Sequence, residues 1–144
     1  MSERTLAAVD GVTRAYGGVP VLDEVSLSVG TGVTAVVGPN GSGKSTLLGV
    51  LAGAVEPTEG TVSYPHGGPR EGSEKRVGYL PQRVPFRDGF TARETLGFYA
   101  ALVDGDPDAA LAGVGLADAA DKRVADLSGG MRRLLGIAQA TLGD

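Results

Sequence analysis

Gly38-Pro39-Asn40-Gly41-Ser42-Gly43-Lys44-Ser45-Thr46 is the stretch on which the fold turns. It matches GxxxxGK(S/T) in full and lies between an apolar β-type run, Val33 to Val37, and a helix-like run, Thr46 to Ala52. Glycines let successive backbone N–H groups turn toward one point, and the helix that follows adds the positive end of its dipole. A polyphosphate finds donors and favourable potential together in such a place. On this reading Lys44 reaches the β- and γ-phosphates and Ser45 ligates Mg²⁺. A Gly/Ser-rich turn that merely happens to precede a helix would need a lysine and two hydroxyls to fall here by coincidence. The residues therefore point to a bound nucleoside triphosphate.

Bulk properties narrow the class. At 144 residues the chain is long enough to bury a core and short enough to be one domain or part of one. Net charge is −4 and the 13 basic residues are scattered, so no basic face speaks for nucleic acid as a partner. The absence of cysteine excludes a disulfide framework and thiolate metal sites, and fits a reducing compartment; metal is expected only with the nucleotide. Met1 to Arg4 leads into a β-like pattern and not into a signal peptide's apolar core. The most apolar stretch, Leu47 to Val55, carries two glycines and is far shorter than the roughly 20 residues that span a bilayer. Any membrane role would go through a partner.

Along the chain, Leu6 to Val12 and Val25 to Val29 read as strands about a Gly17-Gly18 turn and a short Val19 to Asp23 segment. Val33 to Val37 is expected as the strand that feeds the phosphate loop. Thr61 to Tyr64 and Arg76 to Leu80 read as two further strands around a loop at Pro65 to Glu74, with the single His66 in that loop. Thr91-Ala92-Arg93-Glu94 is a capping-box pattern for a helix to about Val103, with Leu96, Tyr99, Ala100 and Val103 on one stripe. Asp106-Pro107 opens a second helix, closing near Gly113 or Gly115, and a turn covers Ala117 to Asp121. A last helix follows Leu127-Ser128-Gly129-Gly130, with Leu134, Leu135, Ile137, Ala138 and Leu142 apolar.

Leu127-Ser128-Gly129-Gly130-Met131 alone is also an ordinary helix start with Ser128 as N-cap. Its weight comes from its company. With the phosphate loop, with Gln82 directly after a strand, and with Tyr16-Gly17-Gly18, the chain resembles the nucleotide-binding domain of ATP-binding-cassette (ABC) transporters in order and spacing. The resemblance implies an α/β fold, a P-loop NTPase of ABC type. Residues 1–84 would form a β-rich core with the phosphate-loop strand and helix. Residues 85–130 would form an α-helical subdomain, and 131–144 would begin the helix that leads to the Walker B strand.

By the same resemblance, Tyr16 stacks on adenine and Gln82 belongs to the Q-loop, near Mg²⁺ and the attacking water, with the segment after it touching a transmembrane permease. Considered alone, Tyr16 is equally a strand-end aromatic and Gln82 a surface residue after a Tyr-Leu-Pro turn. The segment Leu127 to Met131 would grip the γ-phosphate of ATP held by a second ATPase domain, in a head-to-tail dimer that closes on binding and opens on hydrolysis. Met131 stands where glutamine is commonest in the family. With Arg132-Arg133, and with Glu94-Thr95-Leu96 and Phe98-Tyr99-Ala100, it is similar to the exporter-type branch. The implied place is the cytoplasmic face of the membrane.

The family's Asp-Glu strand and switch histidine have no counterpart before Asp144, so hydrolysis by this polypeptide alone is expected to be very slow. Two strings imitate that strand. Val21-Leu22-Asp23-Glu24 lies ahead of the phosphate loop and reads as surface charge, and Ala100 to Asp104 keeps helical period, so Asp104 reads as a helix end. In the family the strands flanking the phosphate-loop strand come from beyond this point, which would leave Val33 to Val37 with open edges and a marginally stable chain. Two other readings stay open: a non-hydrolytic nucleotide-binding remnant, and a soluble family member that acts on DNA or translation factors.

Overall fold

The computed structural model describes residues 4–69 and 77–143. The chain divides between Pro69 and Arg70 into two compact units.

In the first unit the long hairpin of β1 (Thr5–Tyr16) and β2 (Val19–Gly30) is joined by Gly17 and Gly18 alone. Both have positive φ, 59° and 81°, the backbone of a type I′ turn, whose twist matches that of the strands it joins. The Val19 to Asp23 segment is thus part of a strand. β3 (Glu59–Ser63) pairs antiparallel on the other side of β1, giving the order β2-β1-β3. Helix α1 (Lys44–Leu51) covers one face of this sheet: Leu47 and Val50 bury against Val9, Val12 and Leu22. The Tyr64 hydroxyl donates to the Leu51 carbonyl at 2.9 Å, and burial pushes its pKa above the usual tyrosine value, which keeps the donor protonated.

One expected strand is absent. Val33 to Val37 joins no ladder; Val33 is fully exposed and Val37 86% exposed. β-branched residues favour an extended chain, but a strand exists only where a neighbour takes up its N–H and C=O groups, and among the described residues no strand pairs with this run. The expected strand at Arg76 to Leu80 is not found either. Arg76 lies outside the described residues, as do residues 70–74 of the expected loop, and Val77 to Leu80 form no strand. His66 sits exposed in a turn. Asp23 and Glu24 are exposed on β2, as surface charge should be.

The second unit is helical. α2 (Ala92–Val103), α3 (Pro107–Gly113) and α4 (Gly129–Thr141) enclose a core of Leu96, Leu111, Leu116, Val124, Leu127 and Leu135. Each helix start follows from its sequence. Thr91 caps α2, its hydroxyl accepting from the Glu94 N–H at 3.1 Å, and Asp106 caps α3 with Pro107 in the first turn. Asp104 ends α2 in a left-handed conformation, φ 55°. The buried stripe of α2 is Ala92, Thr95, Leu96 and Ala100, so Tyr99 stands half out of the core. On α4, Leu135, Ala138 and Leu142 bury as expected, whereas Leu134 and Ile137 face outward. Arg93 of α2 links the elements of this small bundle, hydrogen-bonded to Asp108 of α3 and to Asp121; the Asp108 bond, then its charge, raises the arginine's pKa further. Thr91→Ala should lower the stability of the helical unit by about 1 kcal/mol, the usual worth of an N-cap hydroxyl, read as a shift of the urea midpoint of the far-ultraviolet signal.

Candidate functional site

Residues 38–46 form an exposed loop and the first turn of α1. Gly41 and Gly43 hold φ of 82° and 95°, so the chain curls where a side chain would strain it. Gly43 has a second constraint: a Cβ there would lie 2.9 Å from the Val21 carbonyl oxygen and 3.1 Å from Leu22 Cδ2, because the loop passes directly over β2. The Ser42 N–H donates to the Pro39 carbonyl at 3.2 Å and closes the curl.

Lys44 folds back across this curl. Its Nζ donates to the carbonyl oxygens of Gly38 and Pro39 at 2.6 and 2.7 Å and to Ser42 Oγ at 3.3 Å. No side chain caps α1, whose first intrahelical acceptor is the Gly43 carbonyl, bonded by the Leu47 N–H at 2.9 Å. The donors of the first turn, Lys44 to Thr46, therefore lack helical acceptors, and the Ser45 hydroxyl beside them is exposed. The result is a ring of oxygens around an ammonium, at the positive end of a helix.

Tyr16 ends β1 and is 48% exposed. The Arg14 guanidinium lies over that ring, 4.6 Å from its centroid, and its Nη1 donates to the Glu56 carbonyl at 2.9 Å. Arg14 was not legible as a site residue; its only signal is its position two residues before Tyr16, on the same face of a strand.

The remaining expected residues lie in the helical unit. Ser128 is the N-cap of α4, its Oγ accepting from the Met131 N–H at 3.1 Å. Gly129 and Gly130 are exposed, Leu127 is buried, and Met131 packs against the helical core. Gln82 is exposed in an irregular segment, and its carbonyl accepts from Arg133 Nη1 at 3.4 Å. Sequence reasoning missed an apolar pocket of about 280 Å³ lined by Pro85, Phe86, Arg87, Phe90, Thr95, Phe98 and Tyr99. All three phenylalanines of the chain line it. Phe98, 66% exposed, meets Tyr99 edge to face at 5.4 Å. The clustering of aromatics within residues 86–99 of an aromatic-poor chain is the signal that could have found it.

Comparisons with known proteins follow the same lines. A family described as ABC transporter matches residues 22–144. The chain is 35% identical over 142 residues to the zinc import ATP-binding protein ZnuC of Roseobacter denitrificans, covering 96% of this chain and 53% of that protein. It is 36% identical to the cytochrome c biogenesis ATP-binding export protein CcmA of Ruegeria pomeroyi, covering 94% and 63%. It thus spans about half to two thirds of the length of these curated relatives. Among solved structures, an ATP-binding subunit of an ABC transporter superposes with a TM-score of 0.73 at 26% identity, over 94% of this chain and 61% of that one. A metal-chelate type ABC transporter in an inward-facing conformation shares the fold, with a TM-score of 0.75 at 22% identity over 97% and 56%. An import protein and an export protein match about equally. With its family match running through the phosphate loop and the Ser128 helix start alike, this chain belongs to the ABC transporter family.

Proposed function

We propose that this chain is the ATP-binding part of an ABC transporter, holding ATP with Mg²⁺ at residues 38–46 and coupling its binding and hydrolysis to a membrane permease. The observation that carries this reading is Lys44 drawn into the loop at the uncapped start of α1. A triphosphate entering there exchanges loop carbonyls for phosphate oxygens around the same ammonium, and gains the first-turn N–H donors. The exposed Ser45 hydroxyl is a hard oxygen donor of the kind Mg²⁺ takes, and the ion would neutralise phosphate charge. Gln82 takes the Q-loop role. Tyr16, with one face backed by Arg14, leaves its other face for a flat base.

The permease would seat on the aromatic pocket lined by residues that follow Gln82 in the chain, which offers apolar area and a cation, Arg87, to an amphipathic segment. Cargo and direction then belong to the permease, in keeping with relatives named for zinc import and for export. No helix among the described residues is long and apolar enough to cross a membrane. By analogy with the family it belongs to, this chain would work at the cytoplasmic face through that partner. The N–H groups of Gly129 and Gly130, at the start of the helix Ser128 caps, would take the γ-phosphate bound by the second ATPase domain of a head-to-tail dimer. Ser128→Arg is expected to leave ATP affinity of the monomer unchanged and to abolish closure of the dimer on a non-hydrolysable analogue, followed by sedimentation. Loss of monomer affinity would show that the two sites are not separate.

As this polypeptide alone, turnover would be very slow, since Asp23 and Glu24 belong to β2 and Asp104 to the end of α2, and among the described residues no strand after the Ser128 helix start carries an Asp-Glu pair. Titration of labelled ATP beside phosphate release tests the reading. Binding with negligible release is the expected result; absence of binding overturns it, and release at the rate of a complete ATPase overturns the assignment of slow turnover.

A further inference from the structure

We infer that Arg132 and Arg133, immediately after Met131, are positioning residues that clamp the Gln82 to Phe90 segment onto the start of α4. Residues 81–90 contain no helix or strand, so their backbone groups must find partners elsewhere. They find α4 and the turn before it. Arg133 Nη1 donates to the Pro81 carbonyl at 2.9 Å and to the Gln82 carbonyl at 3.4 Å, across 52 and 51 residues of sequence. Arg132 Nη2 meets Asp88 Oδ1 at 2.7 Å, and its Nε donates to the Val124 carbonyl at 3.2 Å. One guanidinium thus joins the segment to the turn that delivers Leu127 and Ser128. The Ala125 and Val124 N–H groups complete the seam, donating to the Asp88 and Phe90 carbonyls at 3.2 and 2.8 Å.

Packing supports the same seam. Gly136, one turn beyond Arg132, lies under Leu80 and Val84; a Cβ there would come within 2.6 Å of Leu80 Cδ1 and 3.2 Å of Val84 Cγ2. The placement of the two cations is itself informative. They stand near the positive end of α4, whose first turn has no acidic residue, so the helix dipole disfavours them. Their guanidinium groups are directed instead at carbonyls and a carboxylate of the loop, which is where their charge is used. Each bond is exposed and individually weak, and the arrangement acts through its three anchor points, at residues 81, 82 and 88. The consequence, which rests on the permease reading of the aromatic pocket, is that a load on residues 85–90 reaches Gln82 and Ser128 together.

The test is amide hydrogen exchange on the whole chain carrying Arg132→Asp, Asp88→Arg, or both, with Arg133→Ala as a further variant. Each single substitution is expected to speed exchange at least tenfold both in residues 81–90 and at the Met131 and Arg132 amides, which bond to Ser128, and the double exchange of charges to restore protection. Unchanged exchange in the single variants, or a double variant no better protected than either, overturns the clamp. Should Arg132→Asp unfold the helical unit, Asp88→Asn decides: faster exchange at the start of α4 supports the clamp and no change overturns it. ATP titration of the same samples keeps the two readings apart, because Lys44 belongs to the other unit. Failure to bind ATP with the seam intact would overturn the function and leave the clamp standing.

Discussion

Lys44→Ala will cost this chain at least roughly a hundredfold in affinity for ATP, the equivalent of losing two charge-assisted hydrogen bonds of about 1.5 kcal/mol or more each. Two losses combine. The ammonium that would face the phosphates is gone, and the Gly38 and Pro39 carbonyls that it now holds at 2.6 and 2.7 Å are left with only water or a repelling phosphate as neighbours. Lys44→Arg should recover little of the affinity, because a planar guanidinium does not fit among three acceptors grouped round a point charge. Calorimetric titration with ATP and Mg²⁺ measures both variants. An affinity within a few-fold of the parent chain for Lys44→Ala would remove the phosphate assignment altogether.

The second large effect concerns folding. Gly60 in β3 has φ 84° and faces β1 so closely that a Cβ would sit 2.5 Å from the Gly11 carbonyl carbon and 2.7 Å from the Asp10 oxygen. Both neighbours are main chain and cannot rotate away. Gly60→Ala should therefore push β3 off β1 and lower the stability of the sheet unit by about 3 kcal/mol or more, combining the strain of a left-handed alanine with an overpacked contact. Gly17→Ala is the control. Its φ of 59° has the same sign, but nothing lies within 4 Å of the new methyl, so about 1 kcal/mol is expected from strain alone. Chemical denaturation of the two variants separates the terms, and equal losses would show that close approach is not what Gly60 relieves.

Local chemistry made much of this molecule legible. Glycine pairs, proline positions and capping side chains act within a few residues, and they placed the Gly17-Gly18 turn, the caps at Thr91, Asp106 and Ser128, and the end of α2 at Asp104. The shape of the loop at residues 38–46 was legible for the same reason, since curl, cation and helix start are encoded in one unbroken stretch. What failed was what depends on distant partners. Val33 to Val37 has every local mark of a strand, yet pairing is decided by whether a neighbour is present. Leu134 and Ile137 have helical spacing, but which face of α4 turns inward is set by Leu80, Val84 and the small helices around it. Arg132 and Arg133 stood out only as a branch mark, and what they and Arg14 hold was invisible because an arginine's role lies at the tip of a long side chain, several ångströms from its own backbone.

Residues 33–37 also have a practical meaning for anyone who expresses this chain. Val33 and Val37 standing in water and Val36 partly so, with the run's main-chain groups unpaired among the described residues, make an adhesive strip on which another extended polypeptide can lie down. Recovery of dispersed protein should consequently depend on dilution, low temperature and chaperone supply more than on the strength of its two cores.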